Sequence, residues 1–224
     1  MSDYTITLTL ESPTLIGSGE GFGARIDTDV VFDDVGLPYC PAKRVKGVLL
    51  DAALEVQEML ELAESDTRLE IERAFGIPGQ FQSTPVYFSN LTLQEYGRNY
   101  AWLQYLLANK EYSDILSRDK ISEVLSEVRQ QTAIDENGVA QQSSLRRIRV
   151  LRVGLVFSGT ISIDIEDTLQ KKSILNTLIL ACANFRAFGT KRNRGFGDVQ
   201  CALFDGEQNL SLQDAWKEVV ECSV

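Results

Sequence analysis

Nine consecutive residues near the C-terminus, Gly189-Thr190-Lys191-Arg192-Asn193-Arg194-Gly195-Phe196-Gly197, interleave three glycines with three cations. Glycine lets a backbone approach a ligand closely and adopt positive φ. Three cations in such a loop suit a polyanion better than a single metal ion or a neutral metabolite. The chain as a whole carries a net charge of −10, so this positive charge is placed against the average. It is not isolated. Lys43, Arg44 and Lys46, then Arg146, Arg147, Arg149 and Arg152, then Arg186, Lys191, Arg192 and Arg194 make eleven of the 22 basic residues, in three windows free of Asp and Glu. The acids concentrate in 51–72 and 111–136. Because charges separated by more than about 8 Å are screened at physiological salt, local strips of this kind can hold RNA phosphates on an acidic protein. The strip from Arg146 to Arg152 is one such candidate.

The residues that are missing narrow the chemistry further. Histidine is absent, which removes a Ser-His-Asp triad, a histidine base and most transition-metal ligand sets. Cys40, Cys182, Cys201 and Cys222 form no CxxC pair, which fits reduced thiols and argues against a zinc site. Chemistry is left to carboxylates, lysine, tyrosine or a hard metal ion. Gly17-Ser18-Gly19-Glu20-Gly21 is followed by no Gly-Lys-Ser/Thr and opens onto no helix, so it does not read as a nucleotide loop. Asp33-Asp34 reads as a hydrated turn, with a metal pair as the alternative. Tyr100, Trp102 and Tyr105, at helical spacing, read as a packing face, with base stacking as the alternative.

The elements that must position these groups can be read from periodicity. Residues 3–11 alternate, with Tyr4, Ile6, Leu8 and Leu10 on one face, and predict a strand. A glycine-rich loop through Gly17, Gly19, Gly21 and Gly23 follows. Residues 29–39 predict a short strand pair or extended arm turning at Asp33-Asp34-Val35-Gly36. Pro41 precedes a helix over about 42–64 with the apolar stripe Val45, Leu49, Ala52, Val56 and Leu60. Its start carries Lys43, Arg44 and Lys46, where cations oppose the helix dipole unless an anion lies nearby. A short helix over 67–75 ends at Gly76-Ile77-Pro78-Gly79. A second core strand covers 85–93, and a polar helical insertion 99–131. Residues 132–144 project as a hairpin turning at Asn137-Gly138. One long β run then covers 145–163 with a break at Gly159, and a helix covers 167–187 with Leu169, Ile174, Leu178 and Cys182 among its apolar positions. The last strand is 196–204. This order gives an α+β fold, a ferredoxin-like, RRM-like β-α-β-β-α-β core. All 224 residues form a single domain, with its core at about 1–95 and 145–205 and an insertion at about 96–144. No apolar run is long enough to span a membrane and no leader is apparent, so the expected location is cytoplasmic.

Gly36-Leu37-Pro38-Tyr39-Cys40-Pro41-Ala42-Lys43-Arg44-Val45-Lys46-Gly47 resembles the G-x-P-Y-[IL]-P-[GA]-x-x-[LIV]-[KR]-G segment of the RAMP superfamily of CRISPR-associated proteins. The loop from Gly189 to Gly197 resembles that family's C-terminal glycine-rich signature. Residues 132–138 followed by Ser144-Leu145-Arg146 resemble its β-hairpin thumb, and Phe75-Gly76 with the following strand match in order. The likeness runs from residue 16 to about 200 and is nearest in layout to single-domain, Cas-seven-like backbone subunits of type III effector complexes. It implies a guide CRISPR RNA, a target RNA, and other effector-complex subunits or copies of the same chain as partners. Lys43, Arg44, Lys46, Arg146 and Arg147, with Gly189, Thr190, Lys191, Arg192, Asn193, Arg194 and Gly195, would bind RNA. The resemblance further implies target-RNA cleavage by a loop aspartate, Asp27 with Asp29 as the alternative, holding Mg²⁺ or Mn²⁺. Without histidine, cleavage would proceed by 2′-hydroxyl attack on a splayed linkage, aligned by protein contacts. Two alternatives within the family are a non-catalytic structural subunit and a repeat-RNA processing endoribonuclease. Outside it stands a small-molecule-binding ferredoxin-like domain.

Overall fold

The computed structural model describes residues 1–224 apart from 20, 22–25, 78, 80–83, 137, 140, 142–143, 211, 214 and 217–224. Gly23, Pro78, Asn137 and Cys222 therefore lie outside the described residues. In chain order the elements are β1 (Ser2–Leu10), β2 (Tyr39–Cys40), α1 (Ala42–Leu62), α2 (Ile71–Phe75), β3 (Val86–Phe88) and β4 (Leu91–Leu93). There follow α3 (Tyr96–Ala108), α4 (Arg118–Leu125), β5 (Ser126–Gln131), β6 (Arg146–Leu151), β7 (Val156–Ile163), α5 (Thr168–Asn184), β8 (Val199–Asp205) and β9 (Gln208–Asn209).

The alternation in β1 sends Tyr4, Ile6, Leu8 and Leu10 into the core and leaves threonines on the other face. β1 is central. It pairs antiparallel with β7, with Leu8 opposite Phe157 and Tyr4 opposite Ile161, and on its other edge with β8, with Leu10 opposite Val199. β3 and β4 both pair with β7, so the core strands lie in the order β3/β4, β7, β1, β8, all antiparallel. This is the ferredoxin-like arrangement. α1 and α5 cover one face through Val45, Leu49 and Ala53 against Ile174, Leu178 and Ala181. Fully burying such a side chain contributes about 1.5–3 kcal/mol, which is why the stripe of α1 survives its uncomplemented basic start. No described helix is long and apolar enough to cross a membrane.

Four expectations about the elements change. The β run at 145–163 is two strands in different sheets: β6 pairs with β5, and β7 joins the central sheet. The break falls at 152–155, not at Gly159. Gly159 lies within β7 because a Cβ there would stand 2.5 Å from Leu91 Cδ2 and 2.8 Å from the Asn90 carbonyl oxygen. The same crowding marks where the strand expected over 85–93 is interrupted at Ser89-Asn90. The helical insertion expected over 99–131 stops at Leu125, and Ser126–Gln131 is a strand. Leu169, assigned to the apolar stripe of α5, is exposed.

Candidate RNA-binding groove

The loop after α5 is held against the start of the chain. Thr190 N donates to Leu15 O at 3.0 Å, Gly197 N to Pro13 O at 3.0 Å, and Phe188 N to Gly197 O at 2.7 Å. Only glycine fits at two of these positions. A Cβ on Gly189 would lie 2.5 Å from Leu15 O and one on Gly197 would lie 2.3 Å from Phe188 O, both at positive φ. Between these fixed ends the chain makes a 3-10 turn, Arg192–Arg194, entered by Lys191 at φ 62. Phe196 is buried beneath it. The loop is thus anchored at its glycines while Arg192, Asn193, Arg194 and Gly195 are exposed.

Facing this loop is the end of the β5–β6 pair at which Gln131 and Arg146 lead into the connecting segment. The two enclose a groove of about 1230 Å³, to which Gly189–Arg194, Gln131, Thr132, Ile134, Ser144 and Arg146 all contribute. Arg146, Lys191, Arg192 and Arg194 supply four cations, and among the described residues no carboxylate lines the space. Partial burial, and then the nearby charges of Arg194 and Arg146, push the Lys191 amine below its ordinary range. Its Nζ donates to Gln131 Oε1 at 2.6 Å, tying loop to hairpin. Crowded cations with no acid among them are the electrostatic signature of a site for a polyanion.

Alternation along β6 separates residues adjacent in sequence. Arg146 lines the groove, whereas Arg147 lines a separate cavity with Ile26, Asp119 and Glu123. Arg149 turns inward. It is 7% exposed, ion-paired with Asp29 at 3.3 Å, and lies over the Phe32 ring at 5.7 Å. Arg152 donates to Ser126 O at 3.1 Å. The strip from Arg146 to Arg152 is therefore not one surface.

Asp27 and Asp29 occupy different environments. Asp27 is exposed. Its N donates to Arg147 O at 2.8 Å and its Oδ2 accepts from Arg147 N at 2.6 Å, which fixes it against β6. Asp29 is 9% exposed; its carboxylate accepts from Val30 N at 2.7 Å and pairs with Arg149. Asp29 is committed to the interior, and Asp27 is the carboxylate open to a ligand. Among the described residues no three Asp, Glu, Cys or His side chains group to hold a metal. The Asp27 carboxylate is a hard oxygen donor, which fits a Mg²⁺ or Mn²⁺ whose other ligands would be RNA phosphate and water.

At the start of α1, Lys43 and Arg44 are exposed and Lys46 is half-buried, with its Nζ 5.7 Å from the Phe88 ring centre. The first turn has no acidic residue and Pro41 offers no side-chain cap. Asn90 supplies one from a distance, its Oδ1 accepting from Ala42 N at 2.8 Å. Arg44 lies one turn before Val48, and Val48 and Asp51 form a cleft with Arg192 of the loop. Asp51 and Glu55 line that cleft as well, so α1 passes the loop on an acidic side, while Lys43 and Lys46 line a second pocket.

Asn90 and Gln131 were not singled out in the sequence. Each is a polar residue whose partner, Ala42 or Lys191, is remote in the chain, so no local pattern marks it. Asp33 and Asp34 lie at a turn, with Asp34 exposed, and in addition anchor the insertion. Asp33 Oδ1 accepts from Val35 N and Leu37 N, while Tyr96 and Tyr100 donate to Asp33 and Asp34 at 2.9 and 3.1 Å. Partial burial and the Asp33 bond push the Tyr96 hydroxyl up to about 12. Tyr100 packs in that cluster, but Trp102 and Tyr105 are 61% and 62% exposed, so they are not its packing face.

The sequence model of the RAMP superfamily matches residues 7–200. No curated protein matches the sequence. Among solved structures, a chain of type III-B Cmr-beta in its apo state, determined by cryo-electron microscopy, is similar with a TM-score of 0.63 and 14% identity, over 89% of this chain and 96% of that one. A chain of type III-B Cmr-beta bound to cognate target RNA is similar with a TM-score of 0.64 and 12% identity, over 96% of this chain and 99% of that one. At these identities the likeness is one of fold.

Proposed function

From the premise that the chain belongs to the RAMP superfamily, we propose that it is an RNA-binding backbone subunit of a type III CRISPR ribonucleoprotein effector. The observation that carries this is the groove whose described lining holds four cations and no carboxylate, in a chain of net charge −10. Guide-RNA phosphates lie along Lys191, Arg192, Arg194 and Arg146, and Lys43, Arg44 and Lys46 at the start of α1 offer a second cationic contact. Such contacts fix backbone position and carry no sequence information, which suits a subunit that must accept any guide. Other subunits or copies of the chain, and a target RNA paired to the guide, complete the assembly. The fold likeness to Cmr-beta chains, one of them from a structure bound to cognate target RNA, supports this reading.

Cleavage of the target RNA would belong to Asp27. Asp27 would hold a Mg²⁺ or Mn²⁺, and the ion would supply charge stabilisation at the scissile phosphate. The chain's own part is to hold that carboxylate rigid, through the Arg147 N–H on Oδ2 and the ion pair of Asp29 and Arg149 two residues on. A linkage splayed beside it would be aligned for attack by its own 2′-hydroxyl.

Purifying the tagged chain from its native host at moderate salt and sequencing the RNA that accompanies it tests the proposal. Short RNAs sharing a repeat-derived end are expected. A folded protein that carries no RNA would overturn it.

A further inference from the structure

Most of the chain's negative charge stands in one place. Residues 51–72, from the middle of α1 into α2, hold eight carboxylates and one cation, Arg68, and so carry −7 of the net −10. Three of these acids have partners: Glu61 pairs with Arg68 at 3.1 Å, Glu70 with Arg73 at 3.5 Å and Glu55 with Arg186 at 3.7 Å. Asp51, Glu58 and Glu64 are exposed and make no ion pair among the described residues. The end of a helix favours cations, through its dipole. Yet the last turn of α1 has no basic residue, and Glu61 stands in it with Glu64 just beyond. Apolar side chains share this surface. Leu54, Glu58 and Leu62 recur every fourth residue and so lie on one side of α1, away from its buried stripe. Leu54, Met59 and Leu62 are 50%, 52% and 79% exposed.

We propose that this face of α1 docks a basic amphipathic helix of a different polypeptide. Its apolar residues would cover Leu54, Met59 and Leu62, and its cations would meet Asp51, Glu58 and Glu64. A metal ion does not account for the acids, because among the described residues no three such side chains group to hold one. Repulsion of RNA does not account for the exposed leucines, which add nothing to it. A basic helix uses both: it supplies the cations that the end of α1 lacks, and an apolar stripe at matching spacing. The choice of a different polypeptide over a second copy rests on the RNA reading above, in which the cations of the groove are already engaged by phosphates.

The test takes the tagged chain from its native host with whatever it holds and treats it with a carbodiimide, which joins carboxylates to lysines in direct contact. Cross-links from Glu58 or Glu64 to lysines of a different polypeptide are expected. Replacing Leu54 and Leu62 together by serine should remove those cross-links and reduce the retained polypeptide about tenfold, the order that follows loss of two apolar contacts. The melting temperature and the accompanying RNA should not change, since both leucines are exposed. A set of accompanying polypeptides unchanged by the double variant would overturn the proposal, as would a wild-type chain that retains none. Cross-links only to a second copy would overturn it too, by making the face a contact between like chains. A chain that holds the polypeptide through these residues but carries no RNA would overturn the RNA reading and leave this face standing.

Discussion

Replacing Lys191 and Arg194 together by alanine removes two of the four cations in the groove and touches no buried side chain. Each phosphate contact on a single strand contributes about 0.7 to the slope of log affinity against log salt. Four contacts then give a slope of about 2.8 and two give about 1.4. Raising salt fourfold, from about 50 to about 200 mM, should cost the four-cation groove about fiftyfold in affinity but the two-cation groove only about sevenfold. The gap between the two proteins should therefore shrink about sevenfold over that range. Fluorescence anisotropy with a labelled single-stranded RNA measures both slopes. Arg98→Ala, which removes an exposed cation already paired with Glu95, is the control and should leave the slope unchanged. Equal slopes in wild type and double variant would refute the placement of RNA in this groove, whatever the change in affinity at one salt concentration.

Two further outcomes separate the roles of neighbouring residues. Lys191 has its pKa lowered by partial burial, Arg194 and Arg146, so between that lowered value and 10.5 the unfolded chain binds more protons than the folded one. Stability should rise with pH across this window while RNA affinity falls, because phosphate needs the ammonium; Lys191→Arg should flatten both trends in melting and anisotropy series. Asp29→Ala should lose about 3 kcal/mol, or roughly 6–12 °C in melting temperature, by leaving Arg149 buried without its carboxylate. Asp27→Ala should stay within about 1 kcal/mol and retain RNA while losing metal-dependent target cleavage. A reversal of the two melting shifts would refute the assignment.

Much of the core was legible because its signal is burial, and burial is periodic. Tyr4, Ile6, Leu8 and Leu10 alternate in β1, and Val45, Leu49, Ala52, Val56 and Leu60 form the helical stripe of α1, so type and extent could both be read. The failures lie where burial is partial or comes from elsewhere. Ser126–Gln131 has one fully buried residue, Ser126, and pairs only with β6, so its polar sequence carries no period of two. The β run misled for the opposite reason. Ile148 to Leu151 are all buried, two faces covered by different neighbours, and they merge in sequence with β7 across a short turn. Gly159 was visible as an anomaly, but whether a strand glycine ends a strand or admits a neighbour depends on Leu91 and Asn90, far away in the chain.

The groove was legible as three basic windows but not as one surface. Along β6 a single step moves a side chain from the groove at Arg146 to the opposite cavity at Arg147, and Arg149 leaves the surface altogether. Runs of cations therefore overstate how many can meet one ligand. The acidic remainder of the chain is not an obstacle to this site. Asp51 and Glu55 flank the far side of Arg192 and Arg186, where α1 passes the loop, and repel phosphate from that face. With fields screened over about 8 Å, the acids scarcely weaken the groove but make nearby surfaces unattractive to RNA. A neutral remainder would let a polyanion slide off the strip; an acidic one confines it, so the charge that argues against RNA when summed over the chain favours a single path when placed on the fold.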